Sequence, residues 1–342
     1  MTSTTARSSP ALPPASASFS GSEILAEAVQ RDAEEQVFAR TLADVPDPSL
    51  APSVLILGAP RTGSTLLYQA MVRFFRLPYF SNLANDVFPT RPALAAPLHR
   101  DMLPAIKVEF TSAYGKTRGA FQPSEASGVM CHWFGGGHPS QLKSVAVLDG
   151  KAEHMAKTLA VMDRYFGAPA VIKNAWNCFR VASLAGHLPR AFFVWLRRDM
   201  TASALSDLAA RYVVQGTPDL WNSATPAIYE ELQRTLPYWA QVVENQYEFT
   251  VAIRDGLARH APDRYVEVWY EDLLRDPSRF FTALARRMRD VIADRQPTDV
   301  GLEKGETPAK PFRPSDEANL RAYVEEHRDR LADCRYRGGG RT

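Results

Sequence analysis

Cysteine is scarce in this chain: three residues, Cys131, Cys178 and Cys334, at spacings that match no metal-binding pattern. So sparse and odd a set excludes a disulfide-built scaffold and fits free thiols in a reducing compartment. Cys131 and Cys178 stand among apolar neighbours, where a thiol packs as a small hydrophobe. Long hydrophobic runs are missing too, and none approaches the ~20 residues that span a bilayer. The first residues show neither the basic start nor the apolar core of a secretory leader, which predicts a cytoplasmic protein. Charge of one sign is not in excess. The 40 basic and 38 acidic residues leave +2, which points away from nucleic acid and from general membrane-surface binding. Any anion site must therefore be local.

What is present suits a large folded unit. An apolar share of 45% in 342 residues is enough to bury one sizeable core. Residues 1–20, rich in Ser, Ala, Thr and Pro, and residues 336–342, rich in Gly and Arg, read as disordered tails. Residues 21–335 between them read as a single domain with no internal repeat.

Within it, apolar residues at helical spacing predict a helix over about 21–42, broken by Pro46, Pro48 and Pro52. Strands are predicted at Ser53–Leu57, Ala170–Lys173, Ala191–Leu196 and Tyr265–Trp269. Helices are expected at about 66–72, 178–187, 201–212, 226–259 with a kink at Pro237, 277–292 and 315–333. Residues 78–140 look irregular, a substrate-loop insertion rich in Pro, Gly and aromatics. Apolar strands alternating with helices predict an α/β fold, a central parallel sheet flanked by helices.

The chemistry begins at Gly58-Ala59-Pro60-Arg61-Thr62-Gly63-Ser64-Thr65. A strand feeding a glycine turn and then a helix N-terminus makes an anion cradle. Free backbone N–H groups and the positive end of the helix dipole converge there. The Gly-x4-Gly spacing is that of a nucleotide P-loop, but Ser64 stands where such a loop has Lys. The cation is inside the loop instead, as Arg61. Arg198, at the end of the third strand, and Ser206, eight residues on in the next helix, make a second candidate phosphate grip. Asp199 is the alternative partner for the Arg198 guanidinium.

Together these sets resemble the sulfotransferases that use 3′-phosphoadenosine 5′-phosphosulfate (PAPS). Pro60-Arg61-Thr62-Gly63-Ser64-Thr65 is similar at every position to the family's 5′-phosphosulfate motif. Arg198-Asp199-Met200 with Ser206 is similar to its 3′-phosphate motif, with Met200 in place of Pro. Ile172-Lys173-Asn174, Leu188-Pro189-Arg190-Ala191 and Tyr270-Glu271-Asp272-Leu273 with Asp276-Pro277 resemble further family pieces in the right order. A C-terminal clamp of the family has only an echo in Glu303-Lys304-Gly305. The resemblance spans about residues 53–285, and Arg61 in place of Lys is closer to the carbohydrate and tyrosylprotein branches.

The resemblance implies a P-loop nucleotide-binding fold. It implies PAPS as sulfuryl donor, 3′,5′-adenosine bisphosphate (PAP) as product, no required metal, and a small-molecule or glycan acceptor. Pro60 to Thr65, Arg198 and Ser206 would bind the donor. Arg61 and Lys173 would neutralise or protonate the leaving phosphate oxygen. The acceptor hydroxyl needs a base. Ala175 replaces the His that some family members place there, which leaves Glu125, favoured, and His132 as its rival. Glu125 also fits the first turn of an ordinary helix. Trp133, Phe134, Tyr114 and Phe121 either line the acceptor site or pack as core. Two other readings compete: a metal-dependent P-loop kinase, and a nucleotide-binding regulatory protein without catalysis.

Overall fold

The computed structural model describes residues 21–103, 106–110, 117–136, 145–302, 311–336 and 338, without the side chains of 21–24. The 1–20 tail, most of the C-terminal tail, Tyr114 and the Glu303-Lys304-Gly305 echo lie outside the described residues.

Four parallel strands form one sheet, β1 (Ser53–Leu57), β2 (Ala170–Lys173), β3 (Ala191–Arg197) and β4 (Tyr265–Trp269), in the order β2-β1-β3-β4. Every residue of β1, β2 and β3 is buried, while β4, at an edge, is partly open. A strand buried on both faces needs cover on both, and the side chains divide accordingly. Leu55, Leu57, Ile172, Phe193 and Trp195 face a core completed by α5 (Ser127–Phe134), α6 (Ala152–Phe166), α7 (Val181–His187) and α10 (Tyr238–His260). Val54, Ile56, Val171, Val194 and Leu196 face the other way, onto α2 (Ser64–Phe75) and α12 (Pro277–Arg287). A third cluster joins α8 (Met200–Ala210) and α14 (Pro314–Glu326) to α10 through Leu208, Val243 and Leu320. The N-terminal helix α1 (Gly21–Thr41) contributes Phe38 to a fourth, with Val161 of α6.

The strand order positions the site. The chain leaves β1 for one side of the sheet and returns from β2 to β3 on the other side of β1. The carboxyl ends of β1 and β3 therefore flank the switch point where open α/β sheets bind ligands. β1 leads into the Gly58–Gly63 loop and β3 into Arg198.

Several elements differ from the sequence expectation. Residues 78–140 are more regular than predicted, with α3 (Asn82–Asp86), α4 (Ala95–Met102) and α5 among them. Each is too short for a periodic pattern to show. The fifteen-residue α6 stands where no element was expected, although Met155, Leu159 and Met162 give it a buried stripe. The 226–259 stretch is two helices, α9 (Tyr229–Thr235) and α10, not one kinked helix. Leu236 and Pro237 are both extended, at ψ 148 and 153, because Pro disfavours helical backbone in the residue before it. α7 begins only at Val181, after a 3-10 turn over Ala175–Phe179. α11 (Tyr270–Arg275) and α13 (Arg289–Ile292) bracket α12.

Candidate active site

The loop after β1 is held by a web of short contacts. The Thr62 hydroxyl donates to the Ala59 carbonyl at 2.8 Å, and the buried Gln246 amide of α10 donates to the Pro60 carbonyl at 2.9 Å. Cys178 Sγ lies 3.4 Å from both the N–H and the carbonyl of Gly58. Burial pushes this thiol up to about 12, so it acts as packing and as a weak hydrogen-bonding group. A Cβ on Gly58 would stand 2.7 Å from Thr62 Oγ1, and one on Gly63 would stand 2.4 Å from the Tyr270 ring. Gly63 also has φ 90, a conformation other residues avoid. No side chain caps α2, so the N–H groups of its first turn remain available as donors.

Arg61 adopts φ 68, left-handed backbone that costs a non-glycine residue about 1 kcal/mol or more. From there its side chain crosses the switch point, and Nε donates to Ser206 Oγ at 3.2 Å, over 145 residues of sequence. Arg198 Nη1 donates to the Arg61 carbonyl at 2.9 Å, and its guanidinium stacks 4.6 Å from the Tyr270 ring centroid. Burial draws the Arg198 pKa below the usual arginine value, with Tyr270 and Glu271 opposing the shift. The two predicted phosphate sets are thus one cluster, with Tyr270 of α11 packed against both Gly63 and Arg198.

Asp199 is not the hydrogen-bonding partner of Arg198. Its carboxylate caps α8 by accepting from the Ala202 N–H at 3.1 Å, and its own N–H donates to Glu271 at 2.9 Å. Met200, where the motif has Pro, is the first residue of α8 and is buried against the α8–α10–α14 core. The neighbouring Arg197 lies between Trp195 and Trp269 and pairs with Glu267 at 2.7 Å.

Lys173, the last residue of β2, lies in register with Ile56 of β1, just before the loop. It forms an ion pair with Glu125. Glu125 is not in a helix. It precedes Ala126, whose φ of 51 turns the chain into α5 at Ser127. Its placement comes from hydrogen bonds of surrounding backbone. Ser124 N–H donates to the Phe80 carbonyl at 2.8 Å, Tyr68 Oη to the Ser124 carbonyl at 3.2 Å, and Asn174 Nδ2 to the Glu125 carbonyl at 2.9 Å.

His132 belongs to a different group. Its Nε2 lies 3.2 Å from Lys151 Nζ and its ring 5.3 Å from that of His154. Burial, and then the charges of Lys151, His154 and Arg91, lower its pKa to about 4. None of these contacts joins it to Lys173 or to the phosphate loop, and a base so weak is poorly matched to neutral pH. Trp133 and Phe134 are fully buried core residues. Gln246 has no assignment in the sequence, being distant in the chain from Pro60 and carrying no local pattern. Cys178 is legible there as apolar packing, but not as a partner of Gly58. Tyr270 and Glu271 are visible as parts of a motif, but the stacking on Arg198 and the bond from the Asp199 N–H are not.

The three cysteines are free. Among the described residues no helix is long and apolar enough to cross a membrane. No curated protein matches the chain. Among solved structures, sulfotransferase STF9 from Mycobacterium avium aligns over 87% of this chain and 76% of its own, at 16% identity and TM-score 0.46. A sulfotransferase from Alicyclobacillus acidocaldarius aligns over 82% of this chain and 94% of its own, at 14% identity and TM-score 0.42. The sequence model described as Sulfotransferase family matches residues 52–289, more than half the chain, from the strand before the Arg61 loop through α12. The stretch that builds the loop, the Arg198–Ser206 grip and the Lys173 strand end is therefore the stretch the family shares, and the chain belongs to the sulfotransferase family.

Proposed function

We propose that the chain moves a sulfuryl group from PAPS to a hydroxyl or amine of a carbohydrate or other small molecule. One observation carries this reading: Arg61 reaches Ser206, and Arg198 reaches the Arg61 carbonyl. An ordinary nucleoside triphosphate brings one phosphate chain to one cradle. Two cradles side by side suit a nucleotide that carries phosphate at both its 5′ and 3′ positions. The donor groups suit such a ligand: two guanidinium groups, the N–H groups opening α2, and the hydroxyls of Ser64, Thr65 and Ser206.

In this reading Pro60 to Thr65 hold the phosphosulfate end, and Arg198 with Ser206 holds the 3′-phosphate. Arg61 and the α2 N–H groups offset the charge that grows on the leaving phosphate oxygen. Lys173 donates a hydrogen bond or a proton to the bridging oxygen. Glu125 takes the acceptor's proton while the acceptor oxygen bonds to sulfur and the sulfur–oxygen bond to phosphate breaks. The products are the sulfated acceptor and PAP. The Lys173–Glu125 ion pair keeps the base beside the group that assists departure. Lys173 is buried and Glu125 only partly exposed, so both act where water is restricted. No metal has a part in the reading.

Labelled PAPS offered to a panel of sugars, phenols and amines in the presence of EDTA tests it. The expected result is label on an acceptor, with PAP released one for one. Transfer of the γ-phosphate of ATP that requires magnesium would contradict it and favour the kinase. Tight PAP binding with no release from PAPS would favour the regulatory module.

A further inference from the structure

α1 lies outside residues 52–289 that the family shares, yet it packs on α6, which bonds to α5, the helix that follows Glu125. Glu34, on α1, is 1% exposed. Its Oε2 lies 3.0 Å from His154 Nε2 and 3.6 Å from Arg91 Nη1. On the other side of that imidazole, Trp133 Nε1 donates to His154 Nδ1 at 2.9 Å. An indole N–H can only donate, so Nδ1 must be the unprotonated nitrogen, and the proton on Nε2 points to Glu34. The chain of bonds has one direction: Trp133 to His154 to Glu34.

Trp133 is a fully buried residue of α5. With eight residues, α5 is too short to hold its own position and takes it from its surroundings. It is tied at both ends. Gly128 N–H donates to Asn85 Oδ1 at 2.8 Å near the start, and Leu148 N–H donates to the Trp133 carbonyl at 2.9 Å near the end. The His154 bond is the tie made by a Trp133 side-chain polar group. A shift of α5 along or about its axis is passed through Ala126 to Glu125, and so to the Lys173 ion pair.

We infer that Glu34, His154 and Trp133 form a positioning relay, through which the N-terminal helix sets the place of Glu125 against Lys173. The inference rests on Glu125 as the base. It assigns none of the three a contact with substrate. A network of purely structural use would change stability alone, or would loosen donor binding and transfer together. A positioning relay separates the two.

The test measures PAP release from PAPS with water as acceptor, beside PAP affinity by calorimetry, at a temperature where each variant is folded. His154→Phe keeps an aromatic ring in place but removes both hydrogen bonds. It should lower kcat about tenfold or more with PAP affinity within twofold of wild type. Glu34→Gln still offers an oxygen to the His154 N–H and should stay within about threefold of wild type. If His154→Phe does not fold, Trp133→Phe breaks the same Trp133–His154 bond from the donor side and serves in its place. A wild-type kcat in the folded variant overturns the relay, as does a fall in kcat matched by an equal fall in affinity. Glu125→Gln separates the two claims. Full activity there overturns the base assignment and the relay with it. Loss there with His154→Phe unaffected overturns the relay alone.

Discussion

Arg61, Arg198 and Ser206 leave from the carboxyl ends of β1 and β3 or from the helix that follows, whereas Glu125 comes from a segment outside the four-stranded sheet. On the side of the proposed donor site the sheet itself does the positioning. Parallel pairing of β1 with β3 fixes where the loop and Arg198 emerge, and short hydrogen bonds only refine them. On the side of the proposed base there is no such frame. Glu125 is placed by the Phe80 carbonyl, the Tyr68 hydroxyl and the Asn174 amide, and by a short helix pinned from several directions. A strand end can carry an anion site in a few contiguous residues. A base built on an insertion needs partners from all over the chain.

The largest effect should come from the donor side. If Arg61 offsets the developing charge as proposed, Arg61→Ala loses about 3–4 kcal/mol of transition-state stabilisation, or roughly 10²–10³ in kcat. Steady-state release of PAP from PAPS measures it. A change below tenfold would show that the sheet end does not do what the comparison assigns to it. Next, Glu125→Gln should lower transfer by about 10²-fold or more and leave PAP affinity nearly unchanged. Transfer at the wild-type rate would move the base elsewhere and dissolve the contrast between the two regions. Arg198→Ala should weaken PAP by about 10–100-fold through loss of charge-assisted hydrogen bonds, with little effect on 5′-AMP. Calorimetry with both nucleotides reads the difference.

The smallest effect concerns the insertion as a whole. His99 of α4 is buried among Tyr79, Phe121 and Phe166, and burial lowers its pKa from 6.5 to about 4. Below pH 6.5 the unfolded chain takes up a proton there that the folded chain refuses until about pH 4. Stability is therefore complete above 6.5 and falls as pH drops toward 4, by about 2–3 kcal/mol in all. Urea midpoints at pH 7.5 and 4.5 should differ, and His99→Phe should narrow the difference. An unchanged difference would remove His99 as its source. His132 adds in the same direction.

How much of this was legible in the sequence follows the same division. The four strands and the Arg61 loop were readable because runs of apolar, β-branched and aromatic residues and glycine geometry leave contiguous marks. Tyr265–Trp269 was found at its observed bounds. Glu125 was found as a candidate residue, but its setting was not, since the αL turn at Ala126 and the Asn174 bond have no local signature. α6 was missed although Met155, Leu159 and Met162 recur at helical spacing. The same helix places His154 beside Trp133, so the gap in the sequence reading fell on a member of the proposed relay.

The central claim is that the donor side holds two phosphate groups on one nucleotide, and the affinity of the wild-type protein for PAP against 5′-AMP tests it most directly. The account predicts that PAP binds at least tenfold more tightly, with no need for magnesium. Equal affinity for the two nucleotides would contradict it.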